Sequence, residues 1–131
     1  MPGQIVLLMV TALIERKKKF LILQRSEKNR TNKNKWQFVE GKVKFGENLL
    51  KALKRELKEE TNLELVDAKL VGISSSILKT FRMLRIIFKC RVKGRIKLSE
   101  DHKKYKWVSR KKLKKMDFIK GFDISKLISK F

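Results

Sequence analysis

The order of apolar segments predicts an α/β (α+β) sandwich, in which strands, one central helix, further strands and two late helices pack around a sheet. Three observations carry that reading. Residues 5–14, IVLLMVTALI, are a continuous apolar and partly β-branched run. Residues 47–60 set Leu50, Leu53 and Leu57 at spacings of three and four, the period of a helix and not of a strand. Downstream, the runs AKLVGI and MLRIIFKCRV and the shorter YKWV return to strand character.

The elements follow in order. The run at 5–14 forms the first strand, and FLILQR at 20–25 alternates enough to pair with it as a hairpin across the polar ERKKK. SEKNRTNKNK is an exposed loop. WQFV, residues 36–39, is a short strand, after which Gly41 permits a turn. The helix over 47–60 comes next, then strands near 68–73, 83–92 and 105–108. Two amphipathic segments close the chain, 109–116 and 123–129, the second with Asp123 as N-cap.

A chain of 131 residues with 42% hydrophobic content can bury a real core, and residues 1–131 read as one domain. One cysteine, Cys90, excludes an intramolecular disulfide and points to a reducing, cytoplasmic setting. One histidine leaves no Cys/His cluster for a structural zinc. The first apolar run is too short to span a bilayer, and no positive segment precedes it, so no membrane partner is expected. The formal net charge of +22 has two readings: a field that draws a polyanion, or a solvated lysine-rich surface. The cations are spread over ERKKK, KNRTNKNK, DHKKYK and RKKLKKM, so charge alone does not choose.

Within this basic chain, the central helix gathers acids. Lys51, Lys54 and Lys58 share one face, and the leucine stripe another. Glu56, Glu59 and Glu60, at i, i+3 and i+4, fall in a third sector, with Glu47 upstream. Like charges so placed destabilise an isolated helix unless a hard divalent cation neutralises them. A plain Glu/Lys helix is the alternative, and the wider spacing weighs against it. Gly41, five residues, Glu47, seven residues, Arg55-Glu56-Leu57, one residue, Glu59-Glu60, one residue and Asn62-Leu63 resembles the Nudix hydrolase signature, G-x5-E-x7-R-E-U-x-E-E-x-G-U. The six Gly, Arg and Glu matches have a chance probability on the order of 10⁻⁷ per window. WQFVEGKVKFGE is similar to the lead-in of the MutT-like branch, LILQR to its second strand and YKWVS to its late strand.

The resemblance implies a Nudix-type α/β/α sandwich with a mixed β-sheet, residues 41–63 forming a loop–helix–loop. It implies hydrolysis of a nucleoside diphosphate linked to another group, with a MutT-like nucleoside triphosphate pyrophosphohydrolase leading. ADP-ribose, a dinucleoside polyphosphate or an RNA 5′ end are the alternative substrates. A non-catalytic nucleotide- or RNA-binding module is the alternative of another class. By the same resemblance Glu56, Glu59 and Glu60 bind Mg²⁺ or Mn²⁺ together with the backbone carbonyl of Glu40. Glu47 acts through water or pairs with Arg55, which orients the glutamates. Arg25 matches a phosphate-contacting arginine. Trp36 and Phe81 offer rings for base stacking or belong to the core. Asp101 and Glu100 are the alternative general bases to a signature glutamate, and His102 beside them reads as an exposed loop residue. Two departures stand out: Val39-Glu40 replaces the usual Pro-Gly, and Asn62 replaces the later Gly. Phe122 stands where MutT-type 8-oxoguanine enzymes carry a base-reading asparagine. Monomer and homodimer both remain open.

Overall fold

In the computed structural model, which describes residues 5–129, β1 (Ile5–Arg16) and β6 (Phe81–Lys93) lie side by side in parallel, from Ile5 opposite Phe81 to Ile14 opposite Cys90. β5 (Glu64–Leu78) pairs antiparallel along the outer side of β6. β2 (Lys19–Arg25) returns from β1 by a hairpin and is flanked by β3 (Trp36–Gln37) and β7 (His102–Ser109). β4 (Val39–Lys42) lies antiparallel on β1. The sheet is therefore mixed, as expected.

Alternation along the strands builds a core on each face. On one, Val10, Ala12, Ile14, Leu21, Leu23 and Phe88 pack with Ala52, Leu53 and Leu57 of α1 (Leu49–Thr61). On the other, Phe20, Ile22, Phe38 and Val108 pack with Leu113 of α2 (Arg110–Leu113) and with Ile124 and Leu127 of α3 (Ile124–Ile128). Helices thus cover both faces, the α/β/α layering. Complete burial of Leu53 and Leu57 fixes α1 to the sheet, at about 2 kcal/mol each. Among the described residues, no helix is long and apolar enough to cross a membrane.

The helix starts two residues later than its pattern predicts, because Asn48 caps it: the Asn48 side chain accepts from Lys51 N. Leu50 therefore falls in the first turn and is 48% exposed, and Ala52 takes its expected place against the sheet. Asn62 ends the helix with φ 65°, the left-handed conformation that the replaced glycine would adopt. WQFV divides into β3 and β4 around Phe38. β5 runs well past AKLVGI through Ser74, Ser75 and Ser76, since an edge strand needs no apolar alternation to keep its ladder. β7 begins at His102 instead of Tyr105, and α2 closes at Leu113, short of residue 116. Asp123 caps α3, accepting from Lys126 N.

Candidate active site

α1 and β4 bring the signature acids to one end of the sheet. Arg55 ties them together. Its Nε and Nη2 donate to both oxygens of Glu47 at 2.8 and 2.9 Å, and Nη2 also donates to Lys42 O at 2.8 Å. Nη1 is shared between Glu56 at 2.6 Å and Glu59 at 3.3 Å. The Arg55 bond and the Lys44 N–H hold the Glu47 carboxyl down at about 2. Glu47 precedes the helix, in the turn after β4, so the pair latches that turn to α1. Gly41 leaves room for Glu56: a Cβ at this position would land on the Glu56 carboxylate and displace it.

The three helix glutamates differ in setting. The Glu59 side chain is 55% exposed. Glu56 is largely buried, and burial raises its pKa against the pull of Arg55. Glu60 is only 8% exposed, and its Oε2 has no hydrogen-bond partner. Burial pushes its pKa well up; Glu56, Glu40 and Asp101 push the same way, and Arg25 opposes them. Among the described residues, no three carboxylate, imidazole or thiol groups stand close enough together to enclose an ion by themselves. Arg55 lies between Glu56 and Glu59.

Beyond the helix, the Glu40 side chain turns to the opposite face of β4 from Gly41. It accepts from Arg85 Nε at 2.9 Å and from Thr11 Oγ1 at 2.9 Å, all three groups buried. Arg85, 1% exposed, also donates to Gly121 O and lies over the Phe122 ring at 4.9 Å. The sequence reading considered only the Glu40 carbonyl and missed this pair. Its signal was an arginine inside the apolar run MLRIIF, a charge that a buried strand position tolerates only with a partner.

Residues 7–127 match the NUDIX domain family. The chain belongs to the Nudix family. It is 33% identical over 102 residues to an 8-oxo-dGTP diphosphatase of Buchnera aphidicola subsp. Schizaphis graminum (strain Sg), covering 78% of this chain and 77% of that relative. The crystal structure of the MutT protein from Methanosarcina mazei Go1 is 32% identical, with a TM-score of 0.86 over 98% of this chain and 95% of that one. The solution structure of the E. coli ORF135 protein is 26% identical, with a TM-score of 0.83 over 98% and 89%. The chain is a MutT-like Nudix hydrolase.

Around this Nudix signature, the remaining residues singled out in the sequence are dispersed. Arg25 is adjacent, its guanidinium engaged by Thr31 O, Gln37 Oε1 and Asn29 Oδ1, so it holds the 29–31 loop. The exposed Asp101 side chain lies near enough to act on Glu60. Glu100 instead faces Lys28 at 3.7 Å. Trp36 is buried in the core, with Lys104 and Lys106 over its ring, and presents no open face to a base. Phe81 opens β6 opposite Ile5, five residues along β1 from the partner of Gly41, or about 17 Å.

His102 corrects the sequence reading most. It is buried at the start of β7 opposite Arg25, and neither ring nitrogen has a hydrogen-bond partner. Burial, then Arg25, lowers its pKa from 6.5 to about 4, with Asp101 opposing. The folded protein therefore binds this proton less readily than the unfolded chain, and stability is lost as pH falls from about 6.5 to 4. The loss is on the order of 3 kcal/mol. Thermal melts of His102→Leu against the parent should show a difference that grows in the variant's favour across that window. A constant difference would mean that His102 is protonated as easily folded as unfolded.

Proposed function

We propose that this Nudix hydrolase is a divalent-metal-dependent nucleoside triphosphate pyrophosphohydrolase, releasing a nucleoside monophosphate and pyrophosphate. The observation that carries the reading is the orphaned, buried Glu60 carboxylate beside Glu56. A buried anion without a donor is costly, and hard oxygen donors of this kind suit Mg²⁺ or Mn²⁺. Glu56, Glu59 and Glu60 would hold the ion with the Glu40 carbonyl, Glu56 and Glu59 exchanging their shared Arg55 bond for the cation and closing toward Glu60. When bound, the ion neutralises charge on the diphosphate and lowers the pKa of a bound water.

The chain's own residues do the rest. Arg55 fixes Glu47 and the turn of Lys42–Lys44 against α1, which keeps the glutamates in one sector. Asp101 serves as proton acceptor: water adds to phosphorus as the anhydride P–O bond breaks, and the water proton passes to its carboxylate. Phe122 offers no amide to read a base edge, and its ring packs on Phe38 and Arg85, so this position supplies no hydrogen-bond discrimination among bases.

A substrate panel with Mg²⁺ and with Mn²⁺, products resolved by chromatography, tests the reading. Conversion of (d)NTPs to monophosphate and pyrophosphate is the expected result. Turnover confined to ADP-ribose, dinucleoside polyphosphates or triphosphorylated RNA ends would replace the substrate. Binding without any turnover would replace the enzyme by a nucleotide-binding module.

A further inference from the structure

We propose that the outer edge of the sheet, β7 with the α2 turn that follows it, binds the phosphate backbone of a single-stranded nucleic acid. Residues 102–116 contain eight Lys and Arg and no Asp or Glu. β7 pairs with β2 on one side, and no other strand pairs with it among the described residues. Lys104 and Lys106 stand opposite Gln24 and Ile22 on one face of the strand, their ammonium groups 5.8 and 5.3 Å from the Trp36 ring. Two strand residues span about 7 Å, the scale on which phosphates follow one another in an extended nucleic-acid strand. The cations start at the Arg25 end of β2 and run to Ser109. There Lys19, the end of the Arg16-Lys17-Lys18-Lys19 turn, pairs with the strand.

Other causes of this charge fit less well. In a surface held by ion-pair networks the lysines would have acidic partners. None of Lys104, Lys106, Lys111, Lys112, Lys114 and Lys115 has a salt bridge to a carboxylate among the described residues. Packed so closely, they repel one another, and a polyanion relieves that repulsion by releasing counterions. An anionic membrane would need an apolar anchor beside the cations, yet Leu113 is wholly buried. What the edge does expose is Tyr105, 43% accessible on the opposite face of β7 from Lys104 and Lys106, a ring on which an unpaired base can stack where a strand of nucleic acid wraps the open edge.

The test uses the full chain and a labelled single-stranded oligonucleotide with a 5′-hydroxyl, read by fluorescence anisotropy at several salt concentrations. The probe has no anhydride, so its binding does not depend on the hydrolase reading. The triple variant Lys104→Gln, Lys106→Gln, Lys112→Gln should weaken binding at least about tenfold and flatten the salt slope by about 2, three phosphate contacts being removed. An equal-charge control on the solvated face of α1, Lys51→Gln, Lys54→Gln, Lys58→Gln, should stay within about twofold of the parent. Circular dichroism and melting confirm that both variants fold. Equal losses in both would reduce the effect to net charge and overturn the proposal. Tighter binding to duplex, or to phosphatidylserine vesicles, than to the single strand would overturn it as well.

Discussion

Glu60→Gln is expected to lower turnover at least about a hundredfold while leaving the metal-free melting temperature unchanged or raised. The two halves have one cause. Without a cation, Glu60 is a buried carboxylate with an unsatisfied Oε2, pushed toward protonation by its burial and by Glu56, Glu40 and Asp101. Replacing that charge with a neutral amide removes a cost of folding. With Mg²⁺ present the balance reverses, since an ion held only by the folded state stabilises it by about 2.7 kcal/mol at a hundredfold excess over its Kd. The parent's melting temperature should therefore rise on adding Mg²⁺, and that rise should be lost or greatly reduced in Glu60→Gln. Glu59→Gln should show the same loss of activity with a smaller thermal effect, its side chain being half exposed. A variant that melts lower without metal, yet keeps the full Mg²⁺ shift and near-parental turnover, would show that Glu60 is a structural acid and that the ion, if any, lies elsewhere.

The fold was legible wherever one face of an element is buried. Leu53 and Leu57 announce α1, and the apolar runs announce β1, β2 and β6, because burial imposes a period on the side chains. Legibility failed where local chemistry or long-range contact decides. Asn48 moves the helix start and so exposes Leu50, which periodicity alone had placed inside. Ser74, Ser75 and Ser76 hide an edge strand, since backbone pairing there makes no demand on side chains. The glutamate cluster was readable because its residues are neighbours on one helix. His102 was not, because its burial depends on its pairing with Arg25, more than seventy positions away in sequence. The separation of Asp101 from Glu100 was equally hidden: Glu100 faces Lys28 while the charge of Asp101 acts on Glu60, and only the folded turn distinguishes these adjacent acids.

The buried Glu40–Arg85 pair was the deepest miss, and it supports the second large expectation. Arg85→Met should destabilise the protein by about 3–5 kcal/mol, because it leaves the Glu40 carboxylate buried with only the Thr11 hydroxyl. Against a total of about 5–15 kcal/mol for a domain of this size, that loss is severe. Glu40→Gln should cost a similar amount for the mirror reason, a buried guanidinium left with Gly121 O and the Phe122 ring. The double variant removes both charges and should recover much of the loss, so its cost is smaller than either single change. Urea unfolding of the four proteins measures this coupling directly. Simple additivity would mean that Arg85 acts through packing alone and that the two charges are indifferent to each other. Strong coupling has a consequence for the site as well. Glu40 adjoins Gly41, whose missing Cβ makes room for Glu56, and its charge acts on Glu60. A chain that places an acid where the family pattern has glycine must neutralise it on the far face of β4. Arg85 does so, and in bonding Gly121 O it joins that strand to the segment leading into α3.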